Sequence, residues 1–269
     1  MARLNLDQQK KSMGVSFSKE DLAQAFFLYD QWSDVSGSLP VSTLNGLLEN
    51  GAVFLKRKVI RELIKRKELE RLRFAMSYGI MVDVIAKHLL QNNPASGVLV
   101  SIMKFSRRYR ARAWRELLKG EYSDANLWHV AESCPEYHVI AHKIILSKTH
   151  KFSMILSTLR STPKLEKECV RLLLERKAPK VVLLEAIAST RTKTHSLELW
   201  NVLKNMQLTF TELRYIMDHN KLAPLMQKVI MMATEVDLTA EELSYALRYF
   251  HHTKAERIFM RKAREYATT

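Results

Sequence analysis

The sequence predicts an all-α protein: an irregular N-terminal helical region followed by α-solenoid-like helix-turn-helix repeats of about 27–30 residues. Three observations predict it. The 269 residues include only 7 Gly and 6 Pro, too few for the many tight turns of an all-β fold or for Gly-rich α/β loops. Every glycine (Gly14, Gly37, Gly46, Gly51, Gly79, Gly97 and Gly120) precedes residue 121, which leaves the remainder to helices joined by short polar turns. Finally, Leu127, Met154, Leu184, Leu213 and Leu243 align as early-helix positions at steps of 27, 30, 29 and 30 residues.

The clearest repeat is "QLTFTELRYIM", ending at Met217, against "DLTAEELSYAL", ending at Leu247. Thr209 and Thr239 fit helix N-caps, and Glu212 and Glu242 stand three residues later, where each carboxylate reaches back to the cap amide. Leu213 and Leu243 then open the buried stripe, and Tyr215 and Tyr245 are left for packing between repeats.

Taken in order, residues 1–16 are expected to be a flexible N-terminus and 17–120 an N-terminal helical region. A capping box at Ser18 opens a helix from Leu22 to about Trp32, and "SDVSGSLP" (33–40) breaks it. A short helix from Val41 to Leu48 stops near Gly51. Leu55, Val59, Ile60, Leu63, Ile64 and Leu72 give 55–74 the stripe of one amphipathic helix. An apolar helix from Ala75 to Leu90 follows, and "QNNPASG" (91–97) is the most linker-like stretch. Helices at 98–106 and 109–119 come next, ended by Gly120. Residues 121–269 then hold about five helix pairs, continuous with the N-terminal part. Their turns are "SCPEY", "RSTPKLE", "STRTKTH", "DHNKL" and "HHTKA".

No stretch approaches 18 uninterrupted apolar residues, and the opening "MARLNLDQQKKSMG" has no apolar h-region, so neither a membrane span nor a secretory leader is expected. Two cysteines form no disulfide framework, which fits a reducing, cytoplasmic setting. Delivery by a specialised secretion system leaves no mark that a sequence reveals.

The formal net charge is +15, and it is concentrated. Residues 55–119 carry 17 basic and 5 acidic side chains, against 4 and 6 in residues 1–54 and 22 and 17 in residues 120–269. The first basic stretch offers Lys58, Arg61, Lys65 and Arg66. The second, "KFSRRYRARAWRELLKG", offers Lys104, Arg107, Arg108, Arg110, Arg112 and Arg115 interleaved with Phe105, Tyr109 and Trp114. Arginine forks two hydrogen bonds to a phosphate, and an exposed aromatic such as Tyr109 gives a base a flat partner. These residues are the candidate nucleic-acid contacts, and Trp114 serves equally well as a core anchor.

Other chemistry is weak. His138 and His142 stand four apart on one helix face, and Cys134 is four residues upstream, but Pro135 sets Cys134 in a turn and no fourth ligand is evident. No metal is assigned, and the histidines are expected to be a surface pair that makes polar contacts between repeats. No G-x-S-x-G, P-loop or H-E-x-x-H motif occurs, Cys169 points into an apolar stripe, and "EKE" (166–168) reads as solvated surface. The methionines around 206–232 suit core filler better than a partner surface.

These features predict a non-enzymatic, cofactor-free helical-repeat protein that contacts nucleic acid, RNA ahead of DNA, through residues 55–119. The competing expectation is a protein-interaction scaffold or adaptor, a component of a multi-protein machine or a secreted bacterial effector. In that case the basic segment meets an acidic protein or membrane surface.

Overall fold

In the computed structural model, residues 29–250 and 253–268 are described. The capping box at Ser18, nearly all of the helix expected over 22–32, and His251–His252 lie outside the described residues. Among the described residues the chain is helix and turn, with no strand. It is an all-α helical-repeat fold, and no helix is long and apolar enough to cross a membrane. The chain divides into two compact units, residues 1–134 and 135–269.

The first unit holds α1 (Trp32–Val35), α2 (Val41–Asn50), α3 (Val53–Lys65), α4 (Leu69–Ala75), α5 (Val82–Leu90), α6 (Ser96–Phe105), α7 (Arg110–Lys119) and α8 (Asp124–Ser133). The second holds α9 (His138–Lys148), α10 (Phe152–Ser161), α11 (Glu166–Glu175), α12 (Lys180–Ser189), α13 (Lys193–Leu203), α14 (Phe210–His219), α15 (Ala223–Glu235), α16 (Ala240–Tyr249) and α17 (Glu256–Thr268). From α2 onward, first and second helices of a pair alternate, with α4 extended by a 3-10 turn at Met76–Tyr78. First helices begin at residues 41, 69, 96, 124, 152, 180, 210 and 240, so the regular spacing starts well upstream of residue 121.

In the second unit, α10, α12 and α14 pack side by side as one layer, and α11, α13 and α15 form the other. Each hairpin closes by packing its two helices together, as α10 does with α11 and α12 with α13. The interior between the layers is apolar: Ile155, Leu183 and Leu213, each on the first turn of its first helix, are essentially inaccessible. Burying one such side chain is worth about 1.5–3 kcal/mol. These positions also correct the alignment. The true equivalents of Leu127, Leu213 and Leu243 are Ile155 and Leu183, each one residue away from Met154 and Leu184, because the shorter units shift the helix starts to 152 and 180.

Both capping boxes form as expected. The Thr209 amide donates to Glu212 Oε2 at 2.9 Å while the Glu212 amide donates to Thr209 Oγ1 at 3.3 Å, and Thr239 and Glu242 repeat this at 3.0 and 3.3 Å. A third box, Ser123 with Asn126, opens α8. Tyr245 does lie between repeats. The Arg214 guanidinium stands 3.6 Å over its ring, and its hydroxyl donates to Asp218 at 3.4 Å.

Two boundaries in the first unit differ from expectation. The helix expected over 55–74 is two helices, α3 and α4. Lys67 takes a left-handed φ of 58°, the Lys67 amide donates to Ile64 O, and the Glu68 amide donates to Leu63 O. That is a Schellman stop with lysine where glycine is usual. Lys177 ends α11 the same way, with φ 50° and the Ala178 amide on Leu173 O. The helix expected over Ala75–Leu90 is likewise broken, at Gly79 (φ 72°) and Met81 (φ 52°). The stretch 91–97 is a tight turn within one unit rather than a linker, since α5 and α6 pack on each other and Ser96 and Gly97 already belong to α6.

Candidate nucleic-acid interface

The basic segment 55–119 spans α3 to α7, and its cations divide into those that hold the fold and those that face outward. Helix α3 packs on α2, α4 and α5, whereas α7 packs on α6, so the two basic stretches are placed on separate hairpins.

Three of the candidate cations have structural tasks. Arg66 donates from Nε to Glu62 at 2.8 Å and from its two terminal nitrogens to the carbonyls of Leu39 (2.7 Å) and Ser36, clamping the 36–39 turn onto α3. Arg110 donates from Nε to Met103 O at 2.6 Å and reaches Lys104 O at 3.5 Å. It thereby satisfies carbonyls that the end of α6 leaves without helical partners. Lys58 donates to Tyr29 O at 2.8 Å, with its ammonium 3.7 Å from the Tyr29 ring centroid. Lys56, outside the candidate set, is buried and donates to Glu49 O at 3.0 Å. Burial pulls its ammonium below the ordinary lysine value, although Glu49 works against this.

The remaining candidates are exposed: Arg61 and Lys65 on α3, Lys104 at the end of α6, Arg107 and Arg108 in the turn, and Arg112 and Arg115 on α7. Positions 112, 115 and 119 follow i, i+3, i+7 spacing, so Arg112, Arg115 and Lys119 line one face of α7, and the Arg107–Arg108 turn leads into it. The opposite face carries Ala113, Trp114 and Leu117, all buried. Trp114 is therefore a core anchor. Tyr109 is half-buried at the N-cap of α7, with the Arg108 guanidinium 5.7 Å from its ring, and Phe105 is half-buried too. The exposed aromatic of the segment is Phe74, 52% accessible, edge-on to Tyr78. Exposed Arg71 and Arg73 flank it, and sequence reasoning passed over it because it stood inside an apparently continuous amphipathic helix.

The polar clusters of the second unit join successive repeats. Thr162 Oγ1, at the C-cap of α10, lies 2.9 Å from His138 Nε2 and 2.7 Å from His142 Nδ1 on α9, so both histidines make the expected polar contact between repeats, but His142 is buried and the two are not a surface pair. Glu166 is a correction to the solvated reading of "EKE". It is buried and accepts from the amides of Arg191 (3.1 Å) and Thr192 (3.0 Å) and from the Thr192 hydroxyl (2.8 Å), with His195 Nδ1 at 3.0 Å. Burial works to raise its carboxyl, but these hydrogen bonds outweigh it and hold the group below the usual carboxylate range. Glu212 behaves alike: burial opposes ionisation, while Lys180 at 2.7 Å and the Thr209 amide favour it. Both cysteines are buried and in no disulfide, and burial with Glu168 and Glu166 nearby pushes the Cys169 thiol up to about 12. Among the described residues, no three His, Cys, Asp or Glu side chains come together to hold a metal ion.

No family model, no curated protein and no solved structure matches the chain.

Proposed function

We propose that this protein binds nucleic acid, without catalysing a reaction on it, through the exposed cations of the basic segment. The observation that carries this reading is the face of α7. Arg107, Arg108, Arg112, Arg115 and Lys119 are all exposed there, and the one carboxylate on that helix, Glu116, is half-buried and held by Lys119 at 3.1 Å. Such a face draws in a phosphate backbone by releasing its condensed counterions, which gives affinity without base reading.

Arg107, Arg108 and Arg112 make no hydrogen bond that the fold uses, so changing all three to Gln tests the reading with little cost to stability. The R107Q/R108Q/R112Q chain is expected to bind a fluorescein-labelled oligouridylate much more weakly, with a shallower salt dependence and an unchanged melting temperature. Unaltered binding by this variant would overturn the reading. An acidic protein held on the same face, resistant to nuclease, would favour the scaffold alternative.

A further inference from the structure

The packing of the first unit explains why Phe74 is exposed and what it is placed to hold. Leu72, Ala75 and Met76 of α4 are buried, as are Leu99, Ile102 and Met103 of α6, so these two first helices share one register. In that register Arg71 is equivalent to Val98, and Phe74 to Ser101. Val98 is buried and Ser101 half-buried, whereas Arg71 and Phe74 are both exposed. Helix α4 packs on α6 and α6 on α8, but α2 packs on α3 with little contact to α4. One flank of α4 is therefore open. The ring on it is held in place. Phe74 meets Tyr78 edge to face, with centroids 5.5 Å apart and planes at 89°. The Lys56 ammonium stands 4.6 Å from the centroid of Tyr78 and donates to Glu49 O at 3.0 Å, which fixes that tyrosine from α3. In such a T-shaped pair Tyr78 covers at most one face of Phe74, whose side chain stays 52% accessible. Arg71 stands one helical turn before Phe74 on the same side of α4. It makes no ion pair or side-chain hydrogen bond with the described residues. Arg73 is paired to Glu70 at 3.3 Å, an exposed contact of little strength.

We infer that Phe74 and Arg71 bind one unpaired nucleotide of a single strand, the base stacked on Phe74 and its phosphate held by Arg71. This rests on the nucleic-acid reading above and deepens it. The α7 cations give affinity for a phosphate backbone of any kind, whereas a flat ring on α4 takes a base. Helix α4 is a first helix and α7 a second helix, so the stacking site needs a cation of its own, and Arg71 supplies it. Tyr109, the aromatic expected to stack, is half-buried, and Phe74 takes that role in the basic segment. Every base has a π-face, so the site tolerates any sequence. In a duplex the base faces are covered by their neighbours, so the site selects a single strand.

The test uses the full chain with three fluorescein-labelled probes of equal length: an oligouridylate, an abasic ribose-phosphate strand and a DNA duplex. F74L keeps much of the apolar area but loses the flat ring, and F74W keeps the ring. F74L is expected to weaken oligouridylate binding about tenfold, the loss of one stacked base, and to leave the abasic strand and the duplex unaffected. Its salt slope is expected to match that of the wild type, because stacking neutralises no phosphate. F74W is expected to bind the oligouridylate as the wild type does. R71Q is expected to lower the slope of log affinity against log salt by about 0.7, one phosphate contact on a single strand. All three side chains are exposed, so equal melting temperatures check that each variant is folded. No loss in F74L, or the same loss on the abasic strand or the duplex, would overturn the inference. So would a captured protein that F74L releases while no probe shows base-dependent binding. If R107Q/R108Q/R112Q weakens binding and F74L does not, the α7 interface stands and the stacking site falls. If the wild-type chain binds none of the probes, both fall.

Discussion

Glu166 accepts hydrogen bonds from both the amide and the hydroxyl of Thr192, at 3.0 and 2.8 Å, so a buried carboxylate on α11 fixes the turn that opens α13. The contact spans 26 residues and joins one repeat to the next. Replacing Glu166 with Ala strands the amides of Arg191 and Thr192 without their acceptor. The expected loss is about 2–3 kcal/mol of stability, read as a lower urea midpoint at neutral pH.

The same carboxylate gives the fold an acid sensitivity of definite sign. Because hydrogen bonding holds the folded-state pKa of Glu166 and Glu212 below the unfolded value, their stabilisation is fully present above about 4.3 and fades as pH falls through the lower folded values. The stability gap between wild type and E166A is expected to stay constant from neutral pH down to that point. Below it the gap shrinks, which denaturant melts at a series of acid pH values would show.

Arg110 and Arg112 stand two residues apart and are expected to behave oppositely. R110Q removes the donor that satisfies Met103 O at the end of α6 and costs about 1–3 kcal/mol, lowering the melting temperature. R112Q leaves stability within about 0.5 kcal/mol and weakens oligonucleotide binding instead. Thermal melts of the two variants, paired with binding curves, separate the structural arginine from the interfacial one.

Cys134 and Cys169 are fully buried, and Cys169 has its thiol pushed up to about 12. Thiolate is the reactive form, so neither side chain is expected to react with a thiol reagent at neutral pH while the chain is folded. Both should label in urea. Rapid labelling of the native protein would show that the cores around them open.

The parts of this fold that were legible in the sequence are those whose partners carry letters. Thr209 and Glu212 name each other three residues apart, and apolar spacing placed Cys169 correctly inside. What escaped was set by partners without letters. Arg66, Arg110 and Lys58 donate to backbone carbonyls, which no residue type announces, so they looked as free as Arg112. The break at Lys67 was hidden because lysine occupies a left-handed position where glycine would have marked the stop. Glu166 resembled a surface carboxylate, since its partners, Arg191, Thr192 and His195, come from the following repeat. The one-residue slips at Met154 and Leu184 arose from aligning on apolar letters alone, in helices where an adjacent position is also apolar.

The most direct test is the affinity of the unmodified chain for an oligouridylate across a series of salt concentrations. With Arg107, Arg108, Arg112 and Arg115 each meeting a phosphate, log affinity is predicted to fall linearly with log salt at a slope of about −3 or steeper, at ~0.7 for each phosphate neutralised. A slope near zero, or no binding at low salt, would contradict the account.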